Sequence, residues 1–407
     1  MKLQHIDIHN AITALTCSLD LVGVDEIRHG KRVAVMARAI AEHLNWPESE
    51  CLSILYSGML HDCGVSRIHE HRRITETLEW EGAEDHCIRG ADYLSACQPL
   101  AHLSTEIRYH HTRWEKLLET PIDDRLRLRA NLLFLADRVD VLQAPFLDSG
   151  LIMIEYPGII ARIKMLSGIL FAPELVDAFV EIADVEAFWL AMEHEYLDED
   201  LRRIGSHTPK TLLGIPALKE LARLFSRVVD AKSPYTDEHS QRVAQIARQL
   251  AMDFGIGGYE LEQVEIAGLL HDIGKLRVSE DIIDKPGSLT PEERATMHRH
   301  SYDTFRILQR VFEDSKIPVW AGFHHETLIG DGYPFKNGNK ELDLECRIIT
   351  VADIFQALAQ ERPYRRTMTL EYILNDLQSR VEDGHLDAKV VAKLAENAEL
   401  YYRLAVA

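Results

Sequence analysis

The chain has 407 residues, 46% of them hydrophobic, which favours two buried cores over one. Its formal net charge of −20 disfavours a nucleic-acid backbone as partner, which needs a basic footprint, but leaves a small phosphate ester open because bound cations reverse the local field. No run of about 18 uncharged apolar residues occurs, the start Met1-Lys2-Leu3-Gln4 lacks a signal peptide's pattern, and the six scattered cysteines form no CxxC pair, so a cytoplasmic protein with free thiols is expected.

From the N-terminus, the first ordered pattern is His29-Gly30-Lys31-Arg32-Val33-Ala34. Gly58-Met59-Leu60-His61-Asp62-Cys63-Gly64 follows, then His86, the pair His110-His111, and an apolar run 132–136 that ends on Asp137. The acidic stretch 195–200 reads as a solvated helix end, and Arg202 to Pro209 as a linker. The pattern then returns. His239-Ser240-Gln241-Arg242-Val243-Ala244 and Gly268-Leu269-Leu270-His271-Asp272-Ile273-Gly274 sit 210 residues after their counterparts. His300, His324-His325 and the run 348–352 ending on Asp353 complete the second copy, with 24 residues between His300 and His324 as between His86 and His110. Ten of the 20 histidines therefore belong to one scaffold written twice.

Both copies read as helix. His239, Val243, Ile246, Ala247 and Leu250 share one helical face, as do Val264, Ala267, Gly268 and His271. Strand-like alternation is scarce, so the expected fold is all-α, with domains at 1–203 and 218–407.

The C-terminal copy gathers His239, His271, Asp272, His300, His324, His325 and Asp353. A lone histidine on an apolar face is more often a satisfied core residue; an ordered set of imidazoles and carboxylates suits iron, manganese or zinc. Seven donors exceed the needs of one ion, and Asp272 can bridge two. A pair of ions about 3.5–4 Å apart can hold a hydroxide and clamp both oxygens of an in-line phosphoryl displacement. Gly274 is expected to end its helix and turn Lys275 toward the site, where it can neutralise phosphoryl oxygens in the transition state. His298 competes with His300 for the ligand position, and the repeated spacing favours His300.

His271-Asp272-Ile273-Gly274-Lys275 resembles the signature of HD-GYP phosphodiesterases, as do Asp284-Lys285-Pro286-Gly287-Ser288-Leu289-Thr290, His324-His325-Glu326, Gly332-Tyr333-Pro334 and Arg362-Pro363-Tyr364. The resemblance covers roughly 225 to 370. Taken with the repeat, it implies two tandem HD-type helical bundles joined by a linker, and it implies metal-dependent hydrolysis of cyclic di-GMP or cyclic GMP-AMP to linear products. The cofactor implied is two divalent ions, iron or manganese. Asp272 and Lys275 are the implied catalytic residues, and Lys285 and Arg347 would line the substrate groove. Signalling partners would dock through the Gly-Tyr-Pro loop or the N-terminal domain.

Two departures stand out. Tyr235 sits where some members carry a glutamate that supports a third metal, and Ile329 replaces a usual aspartate. The N-terminal copy keeps His29, His61, Asp62, His86, His110, His111 and Asp137, with Asp25 four residues before His29. Val65 stands in the lysine position, and nothing after His111 matches Gly-Tyr-Pro. That copy is expected to hold metal but hydrolyse poorly, in a regulatory or scaffold role. Two other readings stay open: a general HD-type nucleotide phosphohydrolase, and a non-catalytic signalling adaptor.

Overall fold

Apolar residues spaced three and four apart give helix nearly throughout, and the all-α expectation is met. The computed structural model describes residues 6–19, 28–65, 67, 70, 82–147, 149–232, 238–360 and 367–406. Two compact units form, one from Ile8–Thr211 and one from Leu212–Ala407 together with the strand at 6–7. That strand, Ile6–Asp7, pairs antiparallel with Leu212–Leu213, so a piece of the first 203 residues belongs to the second unit.

The stretch read as a linker is partly helix. His194–His207 runs through it because Leu197 and Leu201 are buried and anchor one face. The break between units falls after Thr211.

In the C-terminal unit, helix His239–Asp253 packs on Gly258–Leu270 and on Leu344–Ala359. Val243, Ile246, Ala247 and Leu250 are fully buried in that contact, the valine, isoleucine and leucine side chains each contributing about 1.5–3 kcal/mol of transfer free energy. The crossing is close at Gly268, where an added Cβ would lie 2.8 Å from the Ala244 Cα. Helix Pro291–Val311 begins in a capping box: Thr290 Oγ1 accepts from the Glu293 amide at 3.2 Å, and Glu293 Oε2 accepts from the Thr290 amide at 2.7 Å. It packs on Ile317–Gly322 and on a 3-10 turn at Ile273–Arg277. The N-terminal unit repeats the plan, with His29–His43 packed on Glu48–Leu60 and Asp124–Leu147, and Gly58 set against Ala34.

Candidate active site

Three helices and the ends of two others bring the C-terminal side chains together. His239 opens its helix, after Glu238 in a left-handed conformation (φ 65°). His271 and Asp272 follow the end of Gly258–Leu270, His300 lies mid-helix in Pro291–Val311, His324-His325 follow Ile317–Gly322, and Asp353 sits within Leu344–Ala359.

One group forms around His239 Nε2, which lies 3.3 Å from His271 Nε2, 3.4 Å from Asp353 Oδ1 and 3.5 Å from Asp272 Oδ2. A second forms around His300 Nε2, 3.3 Å from His324 Nε2 and 3.5 Å from Asp272 Oδ1, with His325 beside it. Asp272 therefore faces both groups, one oxygen to each.

The outward nitrogens explain the inward ones. His271, His300 and His324 donate from Nδ1 to the carbonyls of Gly268, Met297 and Ala321 at 2.8, 2.6 and 2.6 Å. A carbonyl only accepts, so Nδ1 carries the proton and each Nε2 turns a lone pair into the site. His239 Nδ1 is held in the same way by Gln356 Oε1 at 2.5 Å. Lone pairs facing each other at 3.3 Å repel unless a positive charge sits between them, and Asp272 Oδ1 has no hydrogen-bond partner among the described residues. The donor set fits divalent cations.

Electrostatics agree. Burial opposes ionisation of Asp272, but His271, Lys275 and His239 outweigh it and hold the carboxyl well below its usual range. Burial likewise opposes charge on Asp353, which His239 and His271 overcome. Burial pushes His300 down to about 3 and His325 to about 4, leaving both neutral. Lys275 reaches the site as an ion pair with Asp272 Oδ2. Gly274 is not in the left-handed region; its role is space, since an added Cβ would run into the His300 carbonyl and come within 2.9 Å of the Thr304 amide. The Lys275 turn comes instead from the 3-10 segment.

Residues 27–142 and 223–390 each match the HD domain family. A 3'3'-cGAMP-specific phosphodiesterase 1 of Vibrio cholerae is 39% identical, over 99% of this chain and 94% of that one. The chain belongs to the HD-GYP family. A cyclic di-GMP phosphodiesterase of Thermotoga maritima is 32% identical over 40% of this chain and 45% of its own. A crystal structure of a cyclic GMP-AMP specific phosphodiesterase of V. cholerae, V-cGAP3, superposes with a TM-score of 0.65 at 26% identity, covering 97% of this chain and 98% of that one.

The Gly-Tyr-Pro loop of this HD-GYP chain is braced by Glu326, whose oxygens accept from the Phe335 and Asn337 amides at 2.7 and 2.9 Å. Tyr333 stacks on His298, ring centroids 3.7 Å apart, and also approaches His325. His298 is thus part of the loop's packing, and His300 is the one in the cluster. Ile329 is 58% exposed and is not among the cavity's lining residues, while nearby Asp331 is.

That cavity, of about 830 Å³, opens over the cluster and draws Lys232, Lys275, Arg294 and Arg380 into its wall. Lys285 and Arg347 are not among its lining residues. Lys285 closes on Glu293 at 2.5 Å; Arg347 is taken by Asp387 at 2.7 Å and by the carbonyls of Leu342 and Asn339. Both cations are committed to local carboxylates, which spacing alone did not disclose. Of the cations in the cavity wall, Arg380 pairs with Asp376 at 2.6 Å and the Lys232 ammonium is buried on the Leu276 and Val278 carbonyls, while Arg294 lies outside every motif.

The N-terminal cluster repeats the geometry. His29 Nε2 lies 3.3 Å from His61 Nε2 and 3.4 Å from Asp137 Oδ1; His86 Nε2 lies 3.3 Å from His110 Nε2 and 3.5 Å from Asp62 Oδ1; His111 Nε2 lies 3.6 Å from Asp137 Oδ2. Asp140 takes the place of Gln356, accepting from His29 Nδ1 at 2.7 Å, and Arg32 balances it. Arg138, fully buried, pairs with Asp137 at 2.7 Å. Asp25, Tyr235 and the Arg362-Pro363-Tyr364 motif lie outside the described residues. Among the described residues no helix is long and apolar enough to cross a membrane.

Proposed function

We propose that the chain hydrolyses a cyclic dinucleotide in its C-terminal domain, preferring 3′3′-cyclic GMP-AMP to cyclic di-GMP. Water adds across one phosphodiester bond and opens the ring to a linear dinucleotide. The observation that carries this reading is the Asp272 carboxylate, one oxygen turned to His239 and His271 and the other to His300 and His324. A carboxylate so placed fits two divalent ions, iron or manganese given its imidazole and carboxylate company. His239, His271, Asp272 and Asp353 would hold one ion, and Asp272, His300, His324 and His325 the other. Bound ions supply Lewis acidity to the phosphoryl oxygens and lower the pKa of the attacking water.

The chain's own residues do the rest. The Nδ1 hydrogen bonds fix each ring's tautomer and direction. Lys275, beside Asp272, is placed to offset charge that builds on the phosphoryl oxygens. Arg294, in the cavity wall, gives an acidic protein a local positive charge for a ligand with two phosphates. The cavity falls in the about 300–1,000 Å³ range of small-molecule sites. Similarity over nearly the full length to a relative named for 3'3'-cGAMP supports the choice of bases.

The test is anaerobic purification with metal analysis, then assay against 3′3′-cyclic GMP-AMP, cyclic di-GMP and nucleoside monophosphates. Ring opening of cyclic GMP-AMP at the highest kcat/KM is expected. Rapid phosphate release from monophosphates, with both cyclic dinucleotides untouched, would overturn the reading.

A further inference from the structure

The N-terminal cluster differs from the C-terminal one at a position no motif covers. After His300 comes Ser301, whose hydroxyl lies 3.2 Å from His300 Nε2. After His86 the same place is held by Cys87. Its Sγ lies 3.7 Å from His86 Nε2 and 4.0 Å from His110 Nε2. Together with His111 these form a four-donor group whose ligand atoms all lie within 4.8 Å of one another.

Cys87 could be only a core thiol, since it donates to the Ala83 carbonyl at 3.2 Å. That contact satisfies the S–H and leaves the imidazoles unanswered. His110 donates from Nδ1 to the Ile107 carbonyl at 2.6 Å, so its Nε2 turns a lone pair toward His86 Nε2 at 3.3 Å. His111 Nε2 has no hydrogen-bond partner among the described residues. A buried orphan costs about 1–3 kcal/mol, and beside two facing lone pairs it points to a missing cation. Metal–ligand lengths of about 2.0 Å to nitrogen and 2.3 Å to sulfur give tetrahedral edges of about 3.3 Å between nitrogens, as His86 and His110 stand, and about 3.5 Å from nitrogen to sulfur, which a small turn of the Cys87 side chain would reach.

We propose that His86, Cys87, His110 and His111 form a thiolate-ligated divalent cation site in the N-terminal domain, selective for zinc over manganese. The thiol proton leaves to solvent as the cation takes its place. Four protein donors fill a tetrahedron and leave no position for water or substrate, so the site is structural. The soft sulfur sets its preference apart from that of the C-terminal nitrogen and oxygen donors.

The full chain, stripped with chelator and reloaded with cobalt(II), tests this. A thiolate-to-cobalt charge-transfer band is expected in the near ultraviolet, lost in Cys87→Ser and kept in Cys51→Ser. Zinc should bleach it at concentrations where manganese does not, and Cys87→Ser should weaken zinc retention at this centre by at least the about 10–100-fold that losing an outer-shell partner costs. Should Cys87→Ser fail to fold, the unmodified chain still decides by the band and its response to the two metals. A cobalt-bound chain with no band, a band that survives Cys87→Ser, or equal displacement by manganese and zinc would overturn the proposal. Turnover is not a readout, so the outcome is separate from that of the C-terminal assay.

Discussion

Asp272 does by position what no other side chain in the cluster does, since its two oxygens serve two groups of histidines. Asp272→Ala should lower kcat by at least about 10³-fold, with loss of bound metal by elemental analysis. Lys275→Ala should behave differently: metal content stays, and kcat falls by about 10²–10³. Gln356 acts one step back, through the His239 ring. Gln356→Leu should weaken metal affinity about 10–100-fold by competition titration, and Gln356→Glu should recover most of it, as Asp140 fills that role for His29. The convergence of the histidines was legible because helix fixes where residues 32 and 24 apart return, and the pattern occurs twice. Cys87 was not, because adjacency to His86 says nothing of which way a thiol turns. The ion pairs of Lys285 and Arg347 were not legible either, because a motif carries no information about the acids, Glu293 and Asp387, that pair with its cations.

The helix and turn that carry these residues are joined by tight backbone contacts. The Ile273–Arg277 turn fits against Pro291–Val311 only because Gly274 has no side chain, and Thr304 ties the two by accepting from the Gly274 amide at 3.0 Å and donating to the His271 carbonyl at 3.0 Å. Gly274→Ala should destabilise the C-terminal unit by about 1–3 kcal/mol, as overpacking does, read as a lower midpoint in urea, and should loosen metal binding. The same turn is pinned from the other side by Lys232, buried and donating to the carbonyls of Leu276 and Val278 at 2.6 and 2.8 Å. Burial, partly offset by Glu280, pushes that ammonium down to about 8. A base lowered in the folded state binds fewer protons there than when unfolded, so stability rises as pH climbs from about 8 toward the usual lysine range. Relative to Lys232→Met, the native chain should therefore gain stability over that window, by at most about 1.4 kcal/mol per pH unit, in thermal melts at stepped pH. Helical periodicity made these elements legible, whereas the helix through 202–207 was hidden by residues that look like a linker and are held by Leu197 and Leu201.

At the scale of the whole chain, two copies of one scaffold have diverged in what surrounds their donors. The N-terminal copy has Val65 for the lysine, Cys87 for Ser301, and a buried Arg138 on Asp137. Asp272→Ala in the full chain should therefore leave no residual ring opening that a further Asp62→Ala removes; a residue of activity lost only in the double variant would show that the first copy turns over substrate. The pairing of Ile6–Asp7 with Leu212–Leu213 has a kinetic corollary. During synthesis at about 5–20 residues per second, Ile6–Asp7 wait on the order of 10–40 s for their partners. The N-terminal unit, whose ends meet where the Ile8 amide reaches the Thr211 carbonyl at 2.9 Å, is then made as a closed loop while the opening strand is still unclaimed. A nascent chain halted before residue 212 should carry that opening strand in a protease-sensitive state, and one released a few residues later should begin to protect it.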